Sequence, residues 1–301
     1  MIYIMSFARR SVVAIVSLVA TACAAAGEPS SSSNHGGSGV LPQFTQTVIV
    51  VEENHDFDQV DSVHMPYLHS LMTQYGYATQ YYANTHPSIG NYFMLTAGQI
   101  ITNSDSYSAT ITEDNIVRHL LAAGKTWKSY AEDLPSVGYT GQKSGGYARK
   151  HNPLSFFSDV VNDSAQLKRL VPFTQFASDL AGDTLPNYAF VVPNLCNDAH
   201  DCSLETADAW LQTNIAPLLA SPSFQTAGLL VIVFDEADSD NTHGGGRIVW
   251  TAISPKAKPG FTSATLYQHE NTLRLMAEGL GLTSFPGAAA NASNMAEFFT
   301  P

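Results

Sequence analysis

The sequence predicts an α/β fold with a mainly parallel central sheet flanked by helices on both faces. Three apolar runs carry that prediction: residues 47–51, 188–192 and 229–234 are rich in Val, Ile, Leu and Phe and have no charged break. Strands buried on both faces of a parallel sheet read this way. Helical patterns alternate with these runs, the βα order that parallel sheets require. All three runs also end close to acids: Glu52 and Glu53 with Asn54, then Asp198 and Asp201, then Asp235 and Glu236. Acids at a single strand end are ordinary loop residues, whereas three such ends converge on one crevice if the strands are neighbours.

The remaining elements follow in order. Residues 65–75 form a helix that ends at Gly76, and residues 77–82 a short strand. Thr112 caps a helix that carries Ile116, Leu120 and Leu121 and stops at Gly124. Ser203 starts a helix whose apolar stripe is Trp210, Leu211, Ile215, Leu218 and Leu219, with Pro217 breaking it. Residues 270–278 make the last helix, stopped by Gly279 and Gly281. No internal repeat or linker interrupts residues 43–301, which are read as one catalytic domain.

The N-terminus differs. Arg9 and Arg10 precede an apolar stretch over 12–19 that is too short to span a bilayer, so residues 1–22 read as a secretory signal. Ala20, Thr21 and Ala22 before Cys23 resemble a bacterial lipoprotein signal, and a lipid on Cys23 would be the one link to a membrane. Residues 23–42, with serines at 30–33, read as a flexible tether. Export to the periplasm or cell surface follows. An oxidising compartment joins the other two cysteines, Cys196 and Cys202, as a disulfide. The rival is a zinc site of Cys196, His200 and Cys202, which needs reduced thiols and a fourth ligand.

The formal charge is −12, and loss of Arg9 and Arg10 with the leader would make the chain more acidic still. Such a surface repels nucleic acid, so an anionic substrate needs positive charge concentrated locally. A bound cation would supply it. Oxygen ligands suit calcium, magnesium or manganese, while nearby histidine admits iron or zinc.

A serine follows His86-Pro87 at a turn after a predicted strand, where a helix start favours a bound anion. Ser88 alone could simply cap that helix. In context, Glu53-Asn54-His55-Asp56-Phe57-Asp58, the stretch over 85–92, Pro193-Asn194 through Asp198-Ala199-His200-Asp201, and Phe234-Asp235-Glu236 occur in the order of a known family. The chain resembles the phosphoesterase family of bacterial phospholipases C and secreted acid phosphatases, which has an alkaline-phosphatase-like fold. The stretches 127–133, 148–153 and 269–275 are similar to its smaller acid-phosphatase members.

The resemblance implies that Glu53, Asn54, Asp235 and Glu236 surround one divalent metal ion and that Ser88 is the nucleophile. It places His200 and His269 near the phosphate or leaving group, with His86 a third candidate acid, and Asn91, Asp198 and Asp201 beside the substrate. Phospholipase members follow Asp-Glu directly with His-Gly-Gly; here residues 237–242 intervene before His243, which weakens the lipase reading. His55, His64, His69, His119 and His151 carry no second cue, although Lys150 beside His151 offers a phosphate contact. The expected activity is a metal-dependent phosphomonoesterase acting on a small phosphorylated substrate through a phosphoserine. A phospholipase C-type phosphodiesterase is the alternative, and a non-catalytic surface-binding lipoprotein the alternative of another class.

Overall fold

Strand β1 (Gln46–Glu52) and strand β8 (Gly228–Phe234) are buried at every position, as is β7 (Tyr188–Val192). Successive side chains on a strand point to opposite faces, so complete burial means that both faces are covered. The other strands are β2 (Gly76–Ala78), β3 (Trp127–Ala131), β4 (Lys143–Ser144), β5 (Tyr147–Ala148), β6 (Leu170–Pro172), β9 (Trp250–Ile253) and β10 (Phe261–Ser263). In this computed structural model residues 1–2 and 39–301 are described, and residues 39–301 belong to one compact unit. Residues 3–22 of the proposed signal and Cys23 lie outside the described residues, as does most of the tether. Among the described residues no helix is long and apolar enough to cross a membrane.

The central sheet has eight strands in the order β10-β2-β9-β8-β1-β7-β3-β6. Pairings on both sides of β1 are parallel, and β9 alone runs against the rest. The expected α/β, mainly parallel fold is therefore present. β4 and β5 form a separate small hairpin. The three acid-ended strands are adjacent, in the order β8-β1-β7, and parallel, so their C-terminal ends share one edge. Glu52 pairs with Phe234 in register, which places Glu53 and Asp235 side by side beyond the strands.

The helices are α1 (Pro66–Gln74), α2 (Ser88–Ala97), α3 (Ile116–Ala122), α4 (Ser158–Val161), α5 (Ser164–Leu167), α6 (Thr174–Ala181), α7 (Leu204–Asn214), α8 (Ala216–Ala220), α9 (Pro222–Ala227) and α10 (His269–Gly279). Helix α1 packs against α7, and α2 against α10. Every residue of α2 is buried, including the polar Ser88, Asn91 and Thr96, so the helix is covered on all sides. Pro217 breaks the predicted stripe, as expected: α7 ends at Asn214 and Pro217 sits in the first turn of α8.

Two expectations change. The strand predicted over 77–82 is only three residues long; beyond it Tyr81 and Tyr82 make single bridges to Tyr267 and Arg247. The cap of α3 is Asn115, not Thr112: the Asn115 side chain accepts from the Val117 N–H. An asparagine at that place satisfies an otherwise orphaned amide of the first turn.

Candidate active site

The site is built from the loops that leave β1, β7 and β8 and from the start of α2. Asp235 N–H donates to the Glu52 carbonyl at 2.9 Å, and Glu53 N–H donates to the Asp198 carbonyl at 2.7 Å, stitching the three loops together. Ser88 is the first residue of α2, and its Oγ lies 3.1 Å from Glu53 Oε2 and 3.0 Å from Glu236 Oε1. The serine is buried, so its hydroxyl sits inside the acid cluster and not at a solvated cap.

Glu53 and Asp235 are fully buried. Asp235 Oδ1 accepts from the Asn54 and Glu236 amides at 3.1 and 2.7 Å; its Oδ2 is buried without a partner among the described residues. Asn54 thus joins the cluster through its backbone. Burial pushes the Asp235 carboxyl well up, and Glu53 and Glu236 add repulsion. Burial also raises Glu53, against the pull of His151, and raises Glu236, against the Ser88 hydroxyl and His86. Acids held up by burial and by one another are stabilised in their charged form by a nearby cation.

A residue that the sequence reading set aside completes the cluster. His151, on a short 3-10 turn (Arg149–His151), is buried with Nε2 3.1 Å from Glu53 Oε1 and Nδ1 3.4 Å from Asp198 Oδ2. Neither contact is aligned as a hydrogen bond, so His151 Nε2 and Asp198 Oδ2 are also orphaned buried atoms. Glu53, His151 and Asp198 offer ligand atoms within 4.8 Å of one another and could hold a metal ion. The orphaned acceptors fit such an ion, because buried polar atoms otherwise find partners. Burial lowers the His151 pKa to about 4 and raises that of Asp198 to about 7. A neutral imidazole is the form that ligates metals.

The other expected residues separate into those beside the cluster and those supporting it. His86 Nδ1 is 2.6 Å from Glu236 Oε2 and its Nε2 3.1 Å from the Asp240 carbonyl, so it touches the acids. His200 is exposed; its Nδ1 pairs with the exposed Asp201 at 2.8 Å, leaving Nε2 without a hydrogen-bond partner among the described residues. His269 lies elsewhere. It is wholly buried, with Nε2 2.7 Å from the Asp235 carbonyl and Nδ1 3.3 Å from the Tyr81 hydroxyl, and burial lowers its pKa to about 4. Its ring meets Asp235 through the backbone carbonyl, not the carboxylate. Asn91 is likewise structural: its side chain accepts from the Asn84 and Thr85 amides and donates to the Thr85 carbonyl, fixing the turn before Ser88.

Cys196 and Cys202 form a disulfide, so the rival zinc site has no free thiols to use. Within the loop they close, Asp198 Oδ1 accepts from the His200 amide at 2.9 Å, and Ala199 adopts a left-handed φ of 77°. The intervening segment 237–242 folds back on the site: Ser239 donates to Asp56, and the Asp240 carbonyl meets His86.

Sequence comparison fits this geometry. The phosphoesterase family profile matches residues 60–283. The chain belongs to the phosphoesterase family. It is 34% identical over 258 residues to the phosphatidylinositol-3-phosphatase of Mycobacterium tuberculosis, covering 85% of this chain and 83% of that protein. It is 32% identical to a probable acid phosphatase of Kluyveromyces lactis over 76% of this chain, and spans 56% of the length of that relative. Among solved structures, a protein of the alkaline phosphatase superfamily from Vibrio parahaemolyticus superposes with a TM-score of 0.56 at 14% identity, over 80% of this chain and 67% of that one. Murine ectonucleotide pyrophosphatase/phosphodiesterase 5 gives 0.55 at 11%, over 85% and 100%. These distant structures share the fold, and the curated relatives are named as phosphatases.

Proposed function

We propose that this phosphoesterase is an exported, metal-dependent phosphomonoesterase that works through a phosphoserine on Ser88. The observation that carries the reading is the Ser88 hydroxyl at 3.1 and 3.0 Å from two buried carboxylates on different strands' loops, at the start of a ten-residue helix. Glu53, Asn54, Asp235 and Glu236 would hold a divalent ion, with His151 and Asp198 on the far side of Glu53. Such an ion lowers the pKa of a nearby hydroxyl and offsets charge on phosphoryl oxygens.

Ser88 Oγ attacks phosphorus in line and loses its proton to the neighbouring carboxylates; the ester P–O bond breaks, and the alcohol leaves with a proton. His200, with a free Nε2, is the donor the geometry favours, and His86 the second. Water then cleaves the phosphoserine, releasing phosphate and restoring the hydroxyl. The relatives named as phosphatases support a monoester substrate. Export rests on Arg9, Arg10 and the apolar stretch that follows them.

The test combines metal analysis with turnover of p-nitrophenyl phosphate and a choline-phospholipid analogue. The purified chain is expected to carry or require a divalent ion, to prefer the monoester and to lose turnover on chelation. Ser88→Ala should keep the fold and lose at least about a thousandfold in kcat. Full activity in that variant removes Ser88 from the mechanism, and preference for the lipid analogue reverses the substrate order. No turnover with any divalent ion would leave only a binding role.

A further inference from the structure

We infer that Lys150 is the cation that grips the phosphoryl group and that Asp105 positions it; the assignment rests on the phosphoesterase reading above. Lys150 directly precedes His151, so the turn that delivers the histidine to Glu53 delivers the lysine beside it. Its ammonium lies 2.8 Å from Asp105 Oδ2. The other oxygen of the same carboxylate, Oδ1, accepts from the Ile89 amide at 3.3 Å, the residue after Ser88. One carboxylate therefore ties the lysine to the helix start that presents the nucleophile, which fixes the distance between cation and hydroxyl.

The electrostatics of the chain call for such a group. A phosphate approaching a protein of charge −12 must enter beside Glu53, Asp198, Asp235 and Glu236. The neighbouring Arg149 is unavailable to it: its guanidinium donates to Ser155 and to the Ser108 carbonyl and lies over the Phe156 ring. Lys150 remains partly exposed, on the wall of a cavity of about 460 Å³ shared with Asp105, Gln142, Lys143, His200 and Asp201. A charge-assisted bond from an ammonium to a phosphate oxygen is among the stronger polar contacts, and a pre-positioned donor loses little freedom in making it. His200 lies on the wall of the same cavity.

Inorganic phosphate is the probe, titrated calorimetrically into the full chain with matched divalent-ion content. Lys150→Met is expected to raise the phosphate Kd and the KM for p-nitrophenyl phosphate at least tenfold, with a smaller change in kcat. Lys150→Arg should recover most of the loss. Asp105→Asn should give an intermediate rise in both constants with unchanged metal content, which a purely structural ion pair would not produce. A phosphate Kd within twofold of wild type in Lys150→Met overturns the assignment, and if that variant does not fold, an unchanged Kd in Asp105→Asn does the same. Because phosphate binding needs no turnover, a wild-type chain that binds phosphate through Lys150 yet hydrolyses no ester would sink the phosphatase reading alone.

Discussion

The Tyr92 and His151 rings stack with centroids 5.0 Å apart and planes 9° apart, and both side chains reach the same oxygen, Glu53 Oε1, at 2.7 and 3.1 Å. Tyr92 comes from α2, one turn after Ser88, so a single helix sets both Ser88 and the orientation of a buried acid. His151→Ala should lower divalent-ion affinity and turnover by at least about tenfold. Tyr92→Phe keeps the stacking and removes one hydrogen bond, and outer contacts of this kind are worth roughly 10- to 100-fold in metal affinity. Metal content after dialysis against chelator buffers checks both; unchanged retention in His151→Ala would leave the ion with Glu53, Asp235 and Glu236 and without the histidine.

The Cys196–Cys202 bridge closes a loop of few residues around Asp198 and His200. So short a ring contributes about 2 kcal/mol by chain entropy. Its larger effect is geometric, because Asp198 faces His151 while its backbone accepts from Glu53. Cys196→Ala with Cys202→Ala should melt a few degrees lower yet lose most of its turnover at temperatures where it is still folded. Turnover tracking the folded fraction alone would show that the bridge serves stability only.

Gly245 explains part of the His243-Gly244-Gly245-Gly246 stretch. A Cβ on Gly245 would lie 2.4 Å from the Thr85 carbonyl oxygen and 2.7 Å from the Ala83 Cβ, on the segment that leads to Ser88. Gly245→Ala must push that segment away, and overpacking of this kind costs about 1–3 kcal/mol. The displaced segment carries His86 and Ser88, so kcat should fall with the melting temperature. Gly124→Ala is the comparison: its φ of 67° is strained for alanine, but a Cβ meets nothing within 4 Å, so stability falls slightly and kcat does not.

Much of this was legible in the sequence because the central strands leave little choice. β1, β7 and β8 must be buried on both faces, so they appear as unbroken apolar runs, and their order in the sheet places their acids at one edge. His151 escaped because its place depends on a 3-10 turn between short elements, with no period to mark it; the adjacent Lys150 and the 148–153 stretch were the available signal. The contacts of His269 were hidden for the opposite reason. It opens a well-formed helix, capped by Gln268 and Asn271, yet only the packing of that helix reveals that its ring faces the Asp235 carbonyl. Asn91 shows the same limit, since a polar residue one turn from Ser88 can be committed entirely to backbone.

The burial of His269 also makes a prediction about pH. The ring is held neutral in the folded chain, its pKa lowered from 6.5 to about 4 by burial against the hydrogen bond to the Asp235 carbonyl. Between these values the unfolded chain binds a proton that the folded chain does not, so acid favours unfolding. The stability from the neutral ring is fully present above about pH 6.5 and is lost as pH falls toward 4. A shift of this size corresponds to a loss on the order of 3 kcal/mol over that window. His269→Gln replaces the ring with a side chain that does not titrate and can still donate to the carbonyl. It should be less stable than wild type at neutral pH, because packing is lost, and show a shallower decline between pH 6.5 and 4 in chemical-denaturation curves. Parallel declines in the two proteins would mean that other groups set the acid limb.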